Sequence, residues 1–231
     1  MKAADVMVSN VITVRPNDTV QEIARLLLAR RISGVPVVGG DGKLIGIISE
    51  ADLLRRVESG TDRRRSSWLE LFTASNAQLA AEYVKTHARK AEDVMSYPVV
   101  TATPDTTLDE IARLLEKHKI KRVPIVDGGK VVGIVSRANL LQGLASLGRK
   151  IGPARKTSDS AIRRKVVTAL SREPWVPAGQ LNVTVHNGVV DLWGFVESSQ
   201  QKEAIRVAAE IIPGVRAVTD NVSVGTIMAG L

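Results

Sequence analysis

The chain contains no cysteine, and aromatic residues make up only 3% of it. Without cysteine there are no disulfides, no thiolate nucleophile and no Cys-ligated zinc or iron–sulfur site. Few aromatics mean an aliphatic core and few platforms for stacking bases, which weighs against single-strand nucleic-acid binding. No apolar run approaches the roughly 18 residues needed to span a bilayer, and the opening Met1-Lys2-Ala3-Ala4-Asp5 lacks an apolar signal-peptide core. A soluble, cytoplasmic protein is expected. The histidines His87, His118 and His186 stand far apart with no ligand spacing. There is no phosphate-cradling Gly-Lys loop, nucleophile elbow or paired-carboxylate constellation, so neither a metal site nor an enzyme is expected.

What is present is an ordinary globular composition over 231 residues, 44% apolar and 24% charged. The net charge of +8 is uneven. Residues 145–165 carry seven Lys/Arg and one Asp, a balance of +6, whereas 166–231 carry four basic and six acidic residues, a balance of −2. The basic character is thus concentrated in a linker with Gly148, Gly152 and Pro153.

One stretch is written twice. Asp5-Val6-Met7, Val11–Pro16, Thr19–Leu27, Val35-Pro36-Val37-Val38 and Gly46–Leu54 recur as Asp93-Val94-Met95, Val99–Pro104, Thr107–Leu115, Val123-Pro124-Ile125-Val126 and Gly133–Leu141. The offset is 88 from Met7 to Met95 and 87 from Ser49 to Ser136. In the first copy, Val11–Val14 reads as a strand ended by Pro16, and Thr19-Val20-Gln21-Glu22 is a capping box. Ile23, Leu26 and Leu27 give the helical period, two strands form a hairpin across Gly39–Gly42, and Ser49 opens a helix through Arg56. Each copy reads β-α-β-β-α, with the second capping box at Thr107–Glu110. Packed together, two such copies would share a core.

These motifs resemble a tandem pair of cystathionine-β-synthase (CBS) domains, a Bateman module, over about 4–56 and 91–144. The resemblance rests on Val-Pro-Val-Val and Val-Pro-Ile-Val, and on Gly-Ile-Ile-Ser-x-x-Asp-Leu-Leu and Gly-Ile-Val-Ser-x-x-Asn-Leu-Leu. It implies an α/β (α+β) fold, pairing into homodimers, and binding of adenosine-containing ligands (AMP, ADP, ATP, NAD or S-adenosylmethionine) in two composite clefts. One cleft would use Ser33, Gly34, Ser49 and Asp52, facing Val100. The other would use Lys121, Arg122, Ser136, Arg137 and Asn139, facing Ile12. On its own, Ser-x-x-Asp is a sufficient helix cap; a ligand adds phosphate at the helix start and ribose hydroxyls on the carboxylate.

The clefts are not equivalent. Asn139 stands where Asp is usual. Charge-assisted bonds are worth about 1.5–3 kcal/mol against about 0.5–1.5 for neutral ones, so a difference of about 1 kcal/mol, roughly fivefold in affinity, is expected. Lys121, Arg122 and Arg137 make the second cleft more attractive to polyphosphate, unless they are simply a solvated face.

Between the copies lies an insert over 57–90, with Arg63-Arg64-Arg65 beside Trp68, Leu71 and Phe72 and a helical piece over about 75–87. It is read as packing on the repeats or a dimer partner rather than as a membrane or nucleic-acid contact, because the basic amphipathic piece is short.

The last third, 158–225, reads α-β-β-α-β. Ile162, Val166, Val167 and Leu170 have helical spacing; Leu181, Val183 and Val185 alternate with polar residues; Asn187-Gly188 signals a type I′ hairpin; a helix runs from about Ser198 to Ile212; and Val218, Val222 and Val224 form a last strand. Val-x-Val-x-Asn-Gly-Val-Val-x-Leu-x-Gly-x-Val followed by Pro-Gly-Val resembles the BON domain, which implies phospholipid or hydrophobic-ligand binding. Attraction to anionic lipid would come from the linker with Arg163, Arg164 and Lys165. Trp193 and Phe195 share a face opposite Leu192 and are either cover for a helix or a contact surface. The function expected is a sensor whose CBS pair binds an adenosyl ligand and signals to the BON domain. The alternative is an adaptor peripheral to a membrane, with the CBS pair as dimerisation scaffold. Nucleic acid ranks third, on charge alone.

Overall fold

The computed structural model describes residues 1–54, 88–147 and 158–225. The expectations for the arginine–Trp68–Leu71–Phe72 cluster, the helical piece over 75–87, the end of the helix at Arg56, the linker residues 148–157 and the tail 226–231 lie outside the described residues. In chain order the first copy gives α1 (Ala3–Val6), α2 (Val20–Ala29), β1 (Gly34–Val38), β2 (Leu44–Ser49) and α3 (Glu50–Leu54). The second gives α4 (Ala91–Val94), α5 (Leu108–Lys117), β3 (Arg122–Asp127), β4 (Lys130–Ser136) and α6 (Arg137–Leu147). The last third gives α7 (Asp159–Ser171), β5 (Leu181–His186), β6 (Val189–Val196), α8 (Ser199–Glu210) and β7 (Ala217–Val224). Both helices and sheets are present, as the α/β expectation requires.

The chain forms two compact units, Thr13–Val99 and Met1–Ile12 with Val100–Leu231. In the first, Thr19 caps α2: its hydroxyl accepts from Glu22 N at 3.2 Å, and Glu22 Oε2 accepts from Thr19 N at 2.9 Å. The helix buries Val20, Ile23 and Leu27. β1 and β2 pair antiparallel, Gly34 opposite Ser49 and Val35 opposite Ile48. The strand expected over Val11–Val14 contracts to one bridge, Val14 to Val37. Val14 N donates to Pro36 O at 3.0 Å and Val14 O accepts from Val38 N at 2.9 Å. Pro16, two residues on, has no N–H with which to extend the ladder.

The second copy's leading segment completes this unit. Ala91 N donates to Asp18 O at 2.9 Å, and Ala91 and Val94 are buried. Met95 then lies over Gly46, where an added Cβ would come 2.8 Å from Met95 Cγ.

The other unit repeats the arrangement with the leading segment of the first copy. Ala3 N donates to Thr106 O at 2.8 Å. Ala3 and Val6 join Ile111, Leu115, Val123, Ile125 and Val135 in one core. Met7 lies over Gly133, where a Cβ would come 2.8 Å from Met7 Cγ. Asp-Val-Met in each copy is therefore a clasp: a single-turn helix that fills a core, then a thioether laid on a glycine that must lack a side chain. The short helices α1 and α4 have no periodic signal in the sequence, which is why only the motif and not the helix was expected there.

The last third folds as expected, α-β-β-α-β, into a sheet of order β5-β6-β7. β5 and β6 are antiparallel, and β6 and β7 are parallel with α8 as the crossover. Asn187 and Gly188 have φ of 51° and 77°, the left-handed pair that a type I′ turn demands. One sheet face, with Val183, Val185, Val190, Leu192 and Val222, packs with Ile162, Val166 and Leu170 of α7 and Ile205 and Ala209 of α8.

The opposite face departs from a solvent-facing reading of its alternation. Asn182, Thr184 and Asp191 are 5%, 0% and 1% exposed. β5 lies against α6 and α1. Arg163 is corrected as well. It is not part of a lipid-attracting basic cluster but is buried, donating Nε to Val183 O at 2.7 Å and its other arm to Met7 O. It neighbours Ile162 on the helix face that turns inward. Burial pushes its pKa down to about 10, opposed by Asp5, so it remains charged at neutral pH. Arg164 and Lys165 are exposed.

The clasp yields a direct test. Gly133→Ala is expected to cost about 1–3 kcal/mol by overpacking. In a Met7→Ala background the same change is expected to cost less than about 1 kcal/mol, read by denaturant unfolding as a double-mutant cycle. Additive costs would contradict the contact.

Candidate ligand-binding half-sites

Strand register places the site residues of each copy side by side. Gly34 faces Ser49 across β1 and β2, and Arg122 faces Ser136 across β3 and β4. Each Ser ends its strand and opens the following helix, with the residue three positions on folded back as its cap partner.

In the first half-site, Asp52 Oδ2 accepts from Ser49 N at 2.8 Å and from Ser49 Oγ at 2.6 Å. Ser33 O accepts from Glu50 N at 3.2 Å, tying the residue before β1 to the start of α3. The second carboxylate oxygen of Asp52 accepts from Ser96 Oγ at 3.0 Å. Ser33, Ser49 and Asp52 are half-buried and Gly34 is buried. Val100 belongs to the other compact unit and is half-buried. Only its position after Met95, where the first copy has Val8 and no hydroxyl, marks Ser96 in the sequence.

In the second half-site the cap geometry recurs without the charge. Asn139 Oδ1 accepts from Ser136 N at 2.7 Å and from Ser136 Oγ at 2.8 Å. Its Nδ2 donates to Gln142 Oε1 at 3.1 Å. Asn139 is only 5% exposed, in contrast to half-buried Asp52. Lys121 and Arg137 are exposed and Arg122 is half-buried. Ile12 is half-buried, its Cδ1 3.0 Å from where a Cβ on Gly179 would stand. The structure therefore gathers Lys121, Arg122, Ser136, Arg137 and Asn139 around one strand end, and puts the loop before β5 against Ile12.

The Asp52–Ser96 bond makes a prediction. Ser96→Ala is expected to lower unfolding free energy by about 1 kcal/mol, the usual worth of a half-buried hydrogen bond to a carboxylate partly shared with other donors. Chemical denaturation checks it, and an unchanged midpoint would contradict the bond.

Comparison with known proteins assigns the chain to a family. The CBS domain family matches residues 3–59 and 91–146, and the BON domain family matches 158–226. The uncharacterized protein MJ1426 of Methanocaldococcus jannaschii is 35% identical over 154 residues, 62% of this chain and 91% of its own length. The chloroplastic CBS domain-containing protein CBSX1 of Arabidopsis thaliana is 33% identical over 145 residues, 59% of this chain; the match spans 60% of CBSX1. The crystal structure of CBSX2 in complex with AMP matches with a TM-score of 0.55 at 28% identity, over 64% of this chain and 99% of that one. The chain belongs to the CBS-domain proteins, with a tandem CBS pair followed by a BON domain.

Proposed function

We propose that this protein is a non-catalytic sensor that takes an adenosine-containing ligand of the AMP, ADP, ATP, NAD or S-adenosylmethionine class at its first half-site and passes the event to the BON domain. Ser33, Gly34, Ser49 and Asp52 would form that site. The observation that carries the reading is Asp52: a half-buried carboxylate at the position of the family motif, in a chain resembling a protein solved with AMP. A carboxylate offers about four lone-pair positions. Ser49 N, Ser49 Oγ and Ser96 Oγ use three of them. One remains for a ribose hydroxyl, and both serine hydroxyls can rotate to give way. Signalling requires the ligand to prefer one arrangement of the chain over another.

Homodimerisation through the CBS pair is part of the proposal. Leu28 on α2, Leu54 on α3, and Leu141 and Leu144 on α6 are all more than 60% exposed, and exposed leucines on helices suit a helical interface between copies. Sedimentation across loading concentrations reads this pairing, and a monomer throughout would rule it out.

The adaptor reading retains one supporting observation. α8 exposes Val207, and Ile211 just past its end, on a strip with Ala204 and Ala208, an apolar face on the BON domain that suits a lipid surface. Among the described residues no helix is long and apolar enough to cross a membrane.

Titration calorimetry with AMP, ATP, NAD and S-adenosylmethionine tests the sensor. Heat is expected with at least one, and Asp52→Ala is expected to weaken that binding by at least about tenfold through loss of a charge-assisted bond. Absence of heat with all of them, alongside vesicle binding indifferent to nucleotide, would replace the sensor with the adaptor.

A further inference from the structure

We propose that the face of α6 beside the Ser136–Asn139 half-site, with the end of α1, is the docking surface for the chain's own BON domain, and that position 139 carries a carboxamide because this dock needs a donor where the first repeat has a carboxylate. The inference does not rest on the nucleotide reading.

Asn139 divides its side chain between two tasks. Its Oδ1 caps α6 through Ser136. Its Nδ2 donates to Gln142 Oε1 at 3.1 Å, and the same oxygen accepts from Asn182 Nδ2 of β5 at 2.7 Å. Asn182 Nδ2 also donates to Val6 O, at the end of α1, at 2.9 Å. A line of hydrogen bonds thus runs from the helix cap of the CBS repeat into the BON sheet.

The line has a direction, and a carboxylate at 139 breaks it. Asp could still accept from Ser136, so the cap would survive. Its second oxygen, however, would face Gln142 Oε1, acceptor against acceptor. Turning the Gln142 amide to meet it would set Nε2 against Asn182 Nδ2, donor against donor. In the first repeat the second oxygen of Asp52 is met by Ser96 Oγ at 3.0 Å instead.

Neighbouring contacts belong to the same seam. Thr184 Oγ1 accepts from Trp193 Nε1 at 3.3 Å and lies 3.3 Å from Ser146 Oγ, whose own proton has a nearer acceptor in Gln142 O at 2.8 Å. Arg163 reaches Met7 O. Gly179 abuts Ile12, the residue expected on the wall of the second cleft. Of the six buried polar or charged residues among those described, Asn139, Ser146, Arg163, Asn182 and Thr184 all lie in this seam. Asn182 Oδ1, the remaining polar atom of this side chain, is buried without a hydrogen-bond partner among the described residues.

The chain has no cysteine, so an engineered pair reads the dock without interference. In full-length Ser146→Cys/Thr184→Cys protein, each disulfide formed converts one oxidised glutathione into two reduced ones. Its equilibrium constant against a glutathione buffer reports how strongly the dock holds the thiols together. The disulfide is expected to form, and Asn139→Asp in this background is expected to lower the constant roughly tenfold, the equivalent of one or two lost hydrogen bonds. Asn182→Ala leaves the α6 cap untouched, is expected to do the same, and serves if Asn139→Asp fails to fold. No disulfide in the cysteine pair, or a constant unmoved by both variants, would overturn the proposal.

Discussion

The seating of Met7 on Gly133 is the constraint on which the larger compact unit depends. It holds the first residues of the chain in the core of the second repeat, although those residues are written as the start of the first. It also fixes the end of a single-turn helix, whose last carbonyls have no intrahelical partner. Asn182 and Arg163 supply donors to those carbonyls, at Val6 and Met7. The same few residues therefore close a CBS core on one side and present hydrogen-bond acceptors to the BON domain on the other. A buried arginine, its pKa pushed down to about 10 by loss of water, persists because its donors reach backbone oxygens and Asp5 stands near.

Both copies carry the clasp, yet their half-sites diverge. Both keep the serine, the strand register and the folded-back cap. They differ in what meets the second polar atom of the residue three positions on. In the first repeat a hydroxyl, Ser96, donates to a carboxylate. In the second, the amide of Asn139 is the donor, and its acceptor is shared with the BON sheet. The change from carboxylate to carboxamide reverses the polarity of one atom. In the account proposed here it also turns position 139 from a ribose contact into a support for the docked domain.

Much of the fold is legible in the sequence because its signals are local. The 88-residue offset, the Thr19 and Thr107 capping boxes and the Asn187-Gly188 turn each rest on residues within a few positions of one another. What was not legible depends on partners far along the chain. Asn182 and Thr184 alternate with valines as solvent-facing residues would, and only the helix laid over them makes that face interior. Arg163 reads as one of a basic triplet until Met7, 156 positions away, supplies its acceptor. Ser96 is an ordinary loop residue until its hydroxyl meets Asp52. At Asn139 the sequence announced a departure, and the reason for it lay in another domain.

The central claim is that one half-site keeps the ligand function and the other supports the docked BON domain. Native mass spectrometry of the full-length protein, saturated with whichever adenosine-containing ligand calorimetry identifies, tests this most directly. The account predicts one ligand per chain, lost on Asp52→Ala. Two ligands per chain in the intact protein, with the second insensitive to Asp52→Ala, would contradict it.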